Sequence, residues 1–193
     1  MVQMIHEISQ HLKSLLQRFP DDDSIIFNNQ SYKISKDQFA TIFPNETELT
    51  FVDGGQTEIL SAANFCLSFI RVAAVTFPQR TTVKKEFYLL TTARSVNNEI
   101  IYVSKIFGDQ FIDENDLQIS STDSSIKIGQ ERAPISKVAN IARRFAELSL
   151  ASLHANSILD GTLEQTFNNE YKYHSNFSAL AKSSSLFTAS GNS

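Results

Sequence analysis

"KVANIARRFAELSLASLHANSILDGTLEQT", residues Lys137 to Thr166, runs a helical pattern into a strand pattern with almost no linker between them. Val138, Ile141, Ala142, Phe145 and Leu148 recur at spacings of one, three and four, which gathers them on one helix face. Ser136 stands before them as the expected N-cap. "SILDGTLEQT" (157–166) then reads as a short apolar strand that runs into Asp160-Gly161. A helix that feeds a strand is a crossover, the connection that parallel neighbours in a sheet need. The fold therefore turns on what this crossover strand joins.

Upstream lie four strand-like runs: "ELTFVD" (48–53), "NFCLSFIRVAAVTF" (64–77), "EFYLLTTARSV" (86–96) and "EIIYVSKIFG" (99–108). The second is long and apolar enough for a central strand. The last two are separated by Asn97 and Asn98, and asparagine tolerates the left-handed geometry of a tight hairpin. "DENDLQISSTDSSIKIGQERAP" (113–134) is polar and reads as a loop, and "FSALAKSSSLFTAS" (177–190) reads as a last strand. An antiparallel meander followed by a crossover helix and further strands predicts a mixed α/β sheet. At the other end, "MVQMIHEISQHLKSLLQRFP" (1–20) places Met1, Ile5, Ile8, Leu12, Leu15 and Phe19 on one stripe. This predicts an N-terminal amphipathic helix, ended by Pro20, that packs against the body or a partner chain.

The bulk numbers exclude some classes. With 193 residues, 41% hydrophobic and 20% charged, the chain has the composition of a globular domain rather than of a disordered one. A net charge of −4 gives no sign of a basic, charge-driven nucleic-acid binder. One cysteine, Cys66, cannot make a disulfide framework; in its apolar run it reads as core, and it fits a reducing compartment. No apolar stretch is long enough to span a bilayer, and His6, Glu7, Gln10 and His11 interrupt any signal-peptide core. The expectation is a cytoplasmic protein with no membrane partner.

Three acids stand out. In "ELTFVDGGQTE" (48–58), strand alternation puts Leu49, Phe51 and Asp53 on one face, which predicts Asp53 on the side that carries the core. A carboxylate there needs a compensating partner, often a metal ion. Asp-Gly is equally a standard turn signal, so a turn and a site both remain open. Asp160 repeats the pattern. Glu147 lies off the centre of the helix's apolar face, on the row Arg143, Glu147, Leu150, Ala151, His154, where it is either a surface partner of Arg143 or the edge of a buried zone. Two strand-end aspartates and a helix glutamate together supply the hard oxygen ligands that Mg²⁺ or Mn²⁺ takes. Two such ions about 4 Å apart can activate water for phosphodiester cleavage.

The order of acids, strand then crossover helix then strand, resembles the ribonuclease H-like arrangement. More narrowly, "FVDGG", "ARRFAELSLASLHAN", "SILDGTLEQT" and "LAKSSSLFT" resemble the successive motifs of NurA-type nucleases, over about residues 45–190. The resemblance implies a ribonuclease H-like mixed β-sheet with crossover helices over 45–193, preceded by the 1–20 helix. It implies a Mn²⁺- or Mg²⁺-dependent DNA nuclease of double-strand-break end resection. Such enzymes are ring-shaped homodimers that work with a hexameric HerA-type ATPase. Asp53, Glu147 and Asp160 would then be metal ligands, and Lys182 would contact a phosphate. Members of that family are usually longer, and they carry a further metal-site residue, often histidine, in a C-terminal half expected beyond Ser193. His154 and His174 read as helix-end and loop rather than as substitutes. The expectation is a truncated relative that is weakly active or inactive alone.

Two other readings fit parts of the chain. "VDGGQT" (52–57) matches the first phosphate loop of sugar-kinase and actin-like ATPases, although "EILSAAN" (58–64) reads as helix or loop where those proteins turn into a second strand. Alternatively the acids merely cap turns in a catalytically inactive binding domain.

Overall fold

Alternation is plainest in the stretch that begins at Phe65, where every second side chain from Cys66 to Thr76 is buried and its neighbours are less so. The computed structural model describes residues 6–8, 10, 24–27, 30–35, 37, 47–127, 129–181 and 187–188. In chain order its strands are β1 (Ser24–Phe27), β2 (Gln30–Lys33), β3 (Leu49–Ala62), β4 (Phe65–Phe77), β5 (Thr81–Val96), β6 (Glu99–Gly108), β7 (Ile119–Ser120), β8 (Ser157–Asp160), β9 (Ser178–Leu180) and β10 (Phe187–Thr188). One long helix, α1, spans Lys137–Ser152. Single 3₁₀ turns cover Glu114–Leu117 and Glu170–Tyr173.

The chain divides into two units. Residues 1–45 with 183–193 form one, whose described part is a three-stranded antiparallel sheet in the order β10-β1-β2. Residues 46–182 form the other, a seven-stranded sheet in the order β7-β6-β5-β4-β3-β8-β9. Strands β3 to β7 are an antiparallel meander; β8 then pairs parallel to β3, and β9 parallel to β8. A parallel pair cannot be closed by a hairpin, and α1 supplies the crossover before β8. The expected mixed α/β sheet is what forms. Asn97 and Asn98 take φ of 49° and 64°, the left-handed pair that a two-residue hairpin between β5 and β6 requires.

The core lies between α1 and one face of this sheet. Val52, Ile70, Val72, Phe87 and Leu89 meet Val138, Ile141, Ala142, Phe145 and Leu148 there, all at most 1% exposed. Each buried Val, Ile, Leu or Phe among them is worth about 1.5–3 kcal/mol. Cys66 belongs to this core, at 2% exposed. The helix is buried on more than its main face because residues after β6 and after β8 cover its flank. Ile112, Leu117 and Ile126 are buried with it, and the Tyr173 ring stacks on Phe145 with centroids 4.8 Å apart.

Several sequence expectations are corrected. β3 does not stop at Asp53. Gly54 pairs with Val72 and Gly55 with Arg71, and the ladder runs on to Ala62 opposite Phe65, through an irregularity between Glu58 and Leu60. Partners along β4 outweigh the low strand preference of two glycines. "EILSA" is thus strand rather than helix or loop, and the turn falls at Ala63-Asn64. Leu49, Phe51 and Asp53 do share a face, but the core is on the other one. Thr50 and Val52 are buried, whereas Phe51 is 43% exposed. Ser136 precedes the helix without a side-chain capping bond. Of the 1–20 helix, His6, Glu7, Ile8 and Gln10 are helical, and the remainder lies outside the described residues. Among the described residues no helix is long and apolar enough to cross a membrane.

Candidate metal centre

Parallel pairing of β8 with β3 brings two aspartates to the same level. Phe51 is opposite Ile158 and Val52 opposite Leu159, so Asp53 and Asp160 occupy the next positions of the register. Neighbouring strands lie about 4.8 Å apart, and residues at the same level project from the same face. On β8, Ser157 and Leu159 are buried toward α1, whereas Ile158 and Asp160 are half-buried on the opposite side with Phe51 and Asp53. Both aspartates line a groove of about 760 Å³ on that open face, with Phe51, Phe69, Arg71 and Ile158 among its walls. Arg71 stands over the Phe69 ring at 5.6 Å and pairs with Glu86 at 2.6 Å.

The strand ends differ. β8 stops at Asp160, and Gly161 turns the chain with φ 127°, its N–H donating to the Leu180 carbonyl at 3.0 Å. At Asp53 the strand continues, and the carboxylate accepts the Gly54 N–H at 2.8 Å.

Glu147 approaches from the helix side. It is 2% exposed and reaches the backbone of β3 at Gly54, where an added β-carbon would lie 2.9 Å from Glu147 Oε1 and 2.6 Å from a Val72 methyl. Its Oε1 accepts a bond from the Arg143 guanidinium, which also donates to the Gly54 carbonyl at 3.3 Å. Burial pushes the Glu147 carboxyl up to about 7, against the opposing pull of Arg143 and Arg144, and the charge of Asp53 pushes the same way as burial. Glu147 is not among the residues that line the groove. The structure therefore brings Asp53 and Asp160 together on one face and sets Glu147 against the other side of β3, tied to Arg143. Lys182 lies outside the described residues. Among the described residues, no three His, Cys, Asp or Glu side chains are grouped so as to hold a metal ion.

No family model, curated protein or solved structure matches the chain. The donor chemistry is accordingly the test of a metal. Asp53 and Asp160 offer hard carboxylate oxygens beside a groove, which suits Mg²⁺ or Mn²⁺. Glu147, held by Arg143 on the helix side of β3, does not stand with them.

A second acidic centre was not visible in the sequence. Glu170 is fully buried; its Oε1 accepts Arg144 Nε and Nη2 at 3.0 and 2.9 Å, and its Oε2 accepts the Thr166 and Phe167 amides at 2.9 and 3.1 Å. His174 Nε2 stands 3.4 Å from Oε1. Arg144 also donates to the Thr162 carbonyl at 2.6 Å, two residues past Asp160. The only sequence signal was an Arg-Arg pair inside an apolar helix.

Proposed function

We propose that this chain is a metal-dependent DNA nuclease of the NurA type, with a ribonuclease H-like sheet, that hydrolyses phosphodiester bonds in DNA end resection. One observation carries the reading: Asp53 and Asp160 stand side by side on adjacent parallel strands, at the junction of an antiparallel meander with a crossover strand. Asp53 and Asp160 would hold Mn²⁺ or Mg²⁺; Glu147, the third carboxylate that the resemblance implies, stands on the helix side of β3. Bound there, the ion supplies a Lewis acid for a phosphoryl oxygen and a lowered pKa for a water molecule. Gly55, whose β-position has no atom within 4 Å, leaves room for the substrate backbone beside the aspartates. By the same resemblance, a homodimer and a HerA-type hexameric ATPase are the partners; the single cysteine and the N-terminal sequence favour the cytoplasm as the compartment.

The phosphate-loop reading loses its support, because "VDGGQT" is a continuous ladder strand with no turn to cradle a nucleotide. An inactive binding domain remains the second reading, favoured by the Arg143–Glu147 pair. The deciding experiment is cleavage of end-labelled single- and double-stranded oligonucleotides in Mn²⁺, with Asp53→Asn and Asp160→Asn alongside. Cleavage lost in both variants supports the nuclease. Wild-type protein that neither cleaves DNA nor binds Mn²⁺ selects the binding domain.

A further inference from the structure

Across the open face of the sheet, three aromatic side chains stand in one row. Phe69 on β4 is opposite Tyr88 on β5, and Tyr88 is opposite Phe107 on β6. All three project away from α1, since their strand neighbours Ile70, Phe87, Leu89 and Ile106 are the buried ones. Tyr88 is 47% and Phe107 50% exposed, and the Phe69 and Tyr88 ring centroids lie 5.3 Å apart.

Charge on this face departs from that of the chain, which carries −4. Strand alternation puts four cations, Arg71, Lys84, Arg94 and Lys105, on the open side of β4 to β6, against two carboxylates, Glu86 and Glu99. Glu86 pairs with Arg71 and Glu114 with Lys105, whereas Lys84 and Arg94 have no ion-pair partner among the described residues. Phe69 and Arg71 also line the groove that holds Asp53 and Asp160, so row and groove are continuous.

We propose that this row is a stacking platform for single-stranded DNA: bases lie on Phe69, Tyr88 and Phe107, and the backbone runs past the four cations. It deepens the nuclease reading above, from which it takes DNA as the polymer, and it needs no metal ion. Four cations give only a small phosphate term, so stacking must supply most of the affinity. That selects the strand form. A duplex keeps its base faces stacked on one another, whereas an unpaired strand offers them to the rings. A protein partner would be matched by the rings alone and leaves the local excess of cations unexplained.

The test is fluorescence anisotropy in EDTA, on the full chain, with a labelled oligothymidylate of about 15 nucleotides and its duplex with oligoadenylate. The single strand binds more tightly than the duplex. Tyr88→Ala and Phe107→Ala each weaken it roughly tenfold, within the range of one lost stack. Phe107→Leu does the same, because it keeps apolar area without a π-face, and Tyr88→Phe binds as wild type. Lys84→Gln lowers the slope of log K against log salt by about 0.7, and the ring variants leave that slope unchanged. Circular dichroism melts of these variants stay near wild type, because the side chains replaced are exposed.

Equal affinity for strand and duplex, or Phe107→Leu and Tyr88→Ala binding as wild type, overturns the platform. So does a wild-type dimer, seen by sedimentation equilibrium, that dissociates in Phe107→Leu, since the row then belongs to a second copy. Cleavage in Mn²⁺ by a wild type that binds no DNA in EDTA removes the platform and spares the nuclease. Ring-dependent binding without cleavage does the reverse.

Discussion

Glu147 and Gly54 touch across the sheet–helix interface so closely that the carboxylate oxygen takes up the space of a side chain. A methyl group on Gly54 would meet Val72 and Glu147 below 3.0 Å, and Val72 is itself fully buried in the core. Gly54→Ala is expected to destabilise by about 1–3 kcal/mol, the usual range for overpacking. Gly55→Ala, with open space at its β-position, is expected to be neutral or slightly stabilising. Urea denaturation of the two variants measures the contrast.

Glu170 gives stability a pH dependence. Burial alone would raise its carboxyl, but the Thr166 and Phe167 amides and the Arg144 guanidinium outweigh that and hold it below the ordinary 4.5. A carboxyl lowered by folding contributes fully above its unfolded value and loses that contribution as pH falls through the folded one. Wild-type Tm should therefore drop as pH falls below about 4.5, and Glu170→Gln should flatten that limb. At pH 7, removing one partner of this buried pair costs about 3–5 kcal/mol.

Two phenylalanines separate the faces of the sheet. Phe145→Ala, at 0% exposed, is expected to cost about 3–5 kcal/mol. Phe51→Ala, at 43% exposed on the groove side, is expected to cost less than half as much. Equal losses in chemical denaturation would show that the groove face is covered in solution.

For the aspartates, the proposed chemistry predicts activity loss without unfolding. Asp53→Asn and Asp160→Asn should each lower Mn²⁺-dependent cleavage by more than the roughly 10–100-fold that an outer-shell partner costs. EDTA should abolish cleavage, and Mn²⁺ should restore it. Circular dichroism melts of both variants should stay near wild type.

The sequence showed the elements better than the faces. β4, β5, β6 and α1 were legible because alternation and 3.6-residue periodicity are local, and Asn97-Asn98 marked its own hairpin. The register that aligns Asp53 with Asp160 is non-local, and only its parts could be named. Two errors came from β3. The glycines predict a strand end at Asp53, but pairing with β4 carries the strand nine residues further, to Ala62, and the alternation that predicts Phe51 as core buries Val52 instead. In a sheet with one covered face, a run that is apolar on both sides does not say which side the helix takes. Glu170 was missed because nothing local distinguishes a buried acid from a solvated one; its partner lies 26 residues away on α1.

The register between β3 and β8 also sets a schedule. Asp53 and Asp160 are 107 positions apart, and only three residue pairs, from Thr50–Ser157 to Val52–Leu159, clamp the strands that carry them. A nascent chain still short of Asp160 owns a meander but no carboxylate couple. Because this pairing is non-local in sequence, the proposed metal competence should mature late, after the meander and helix are already in place.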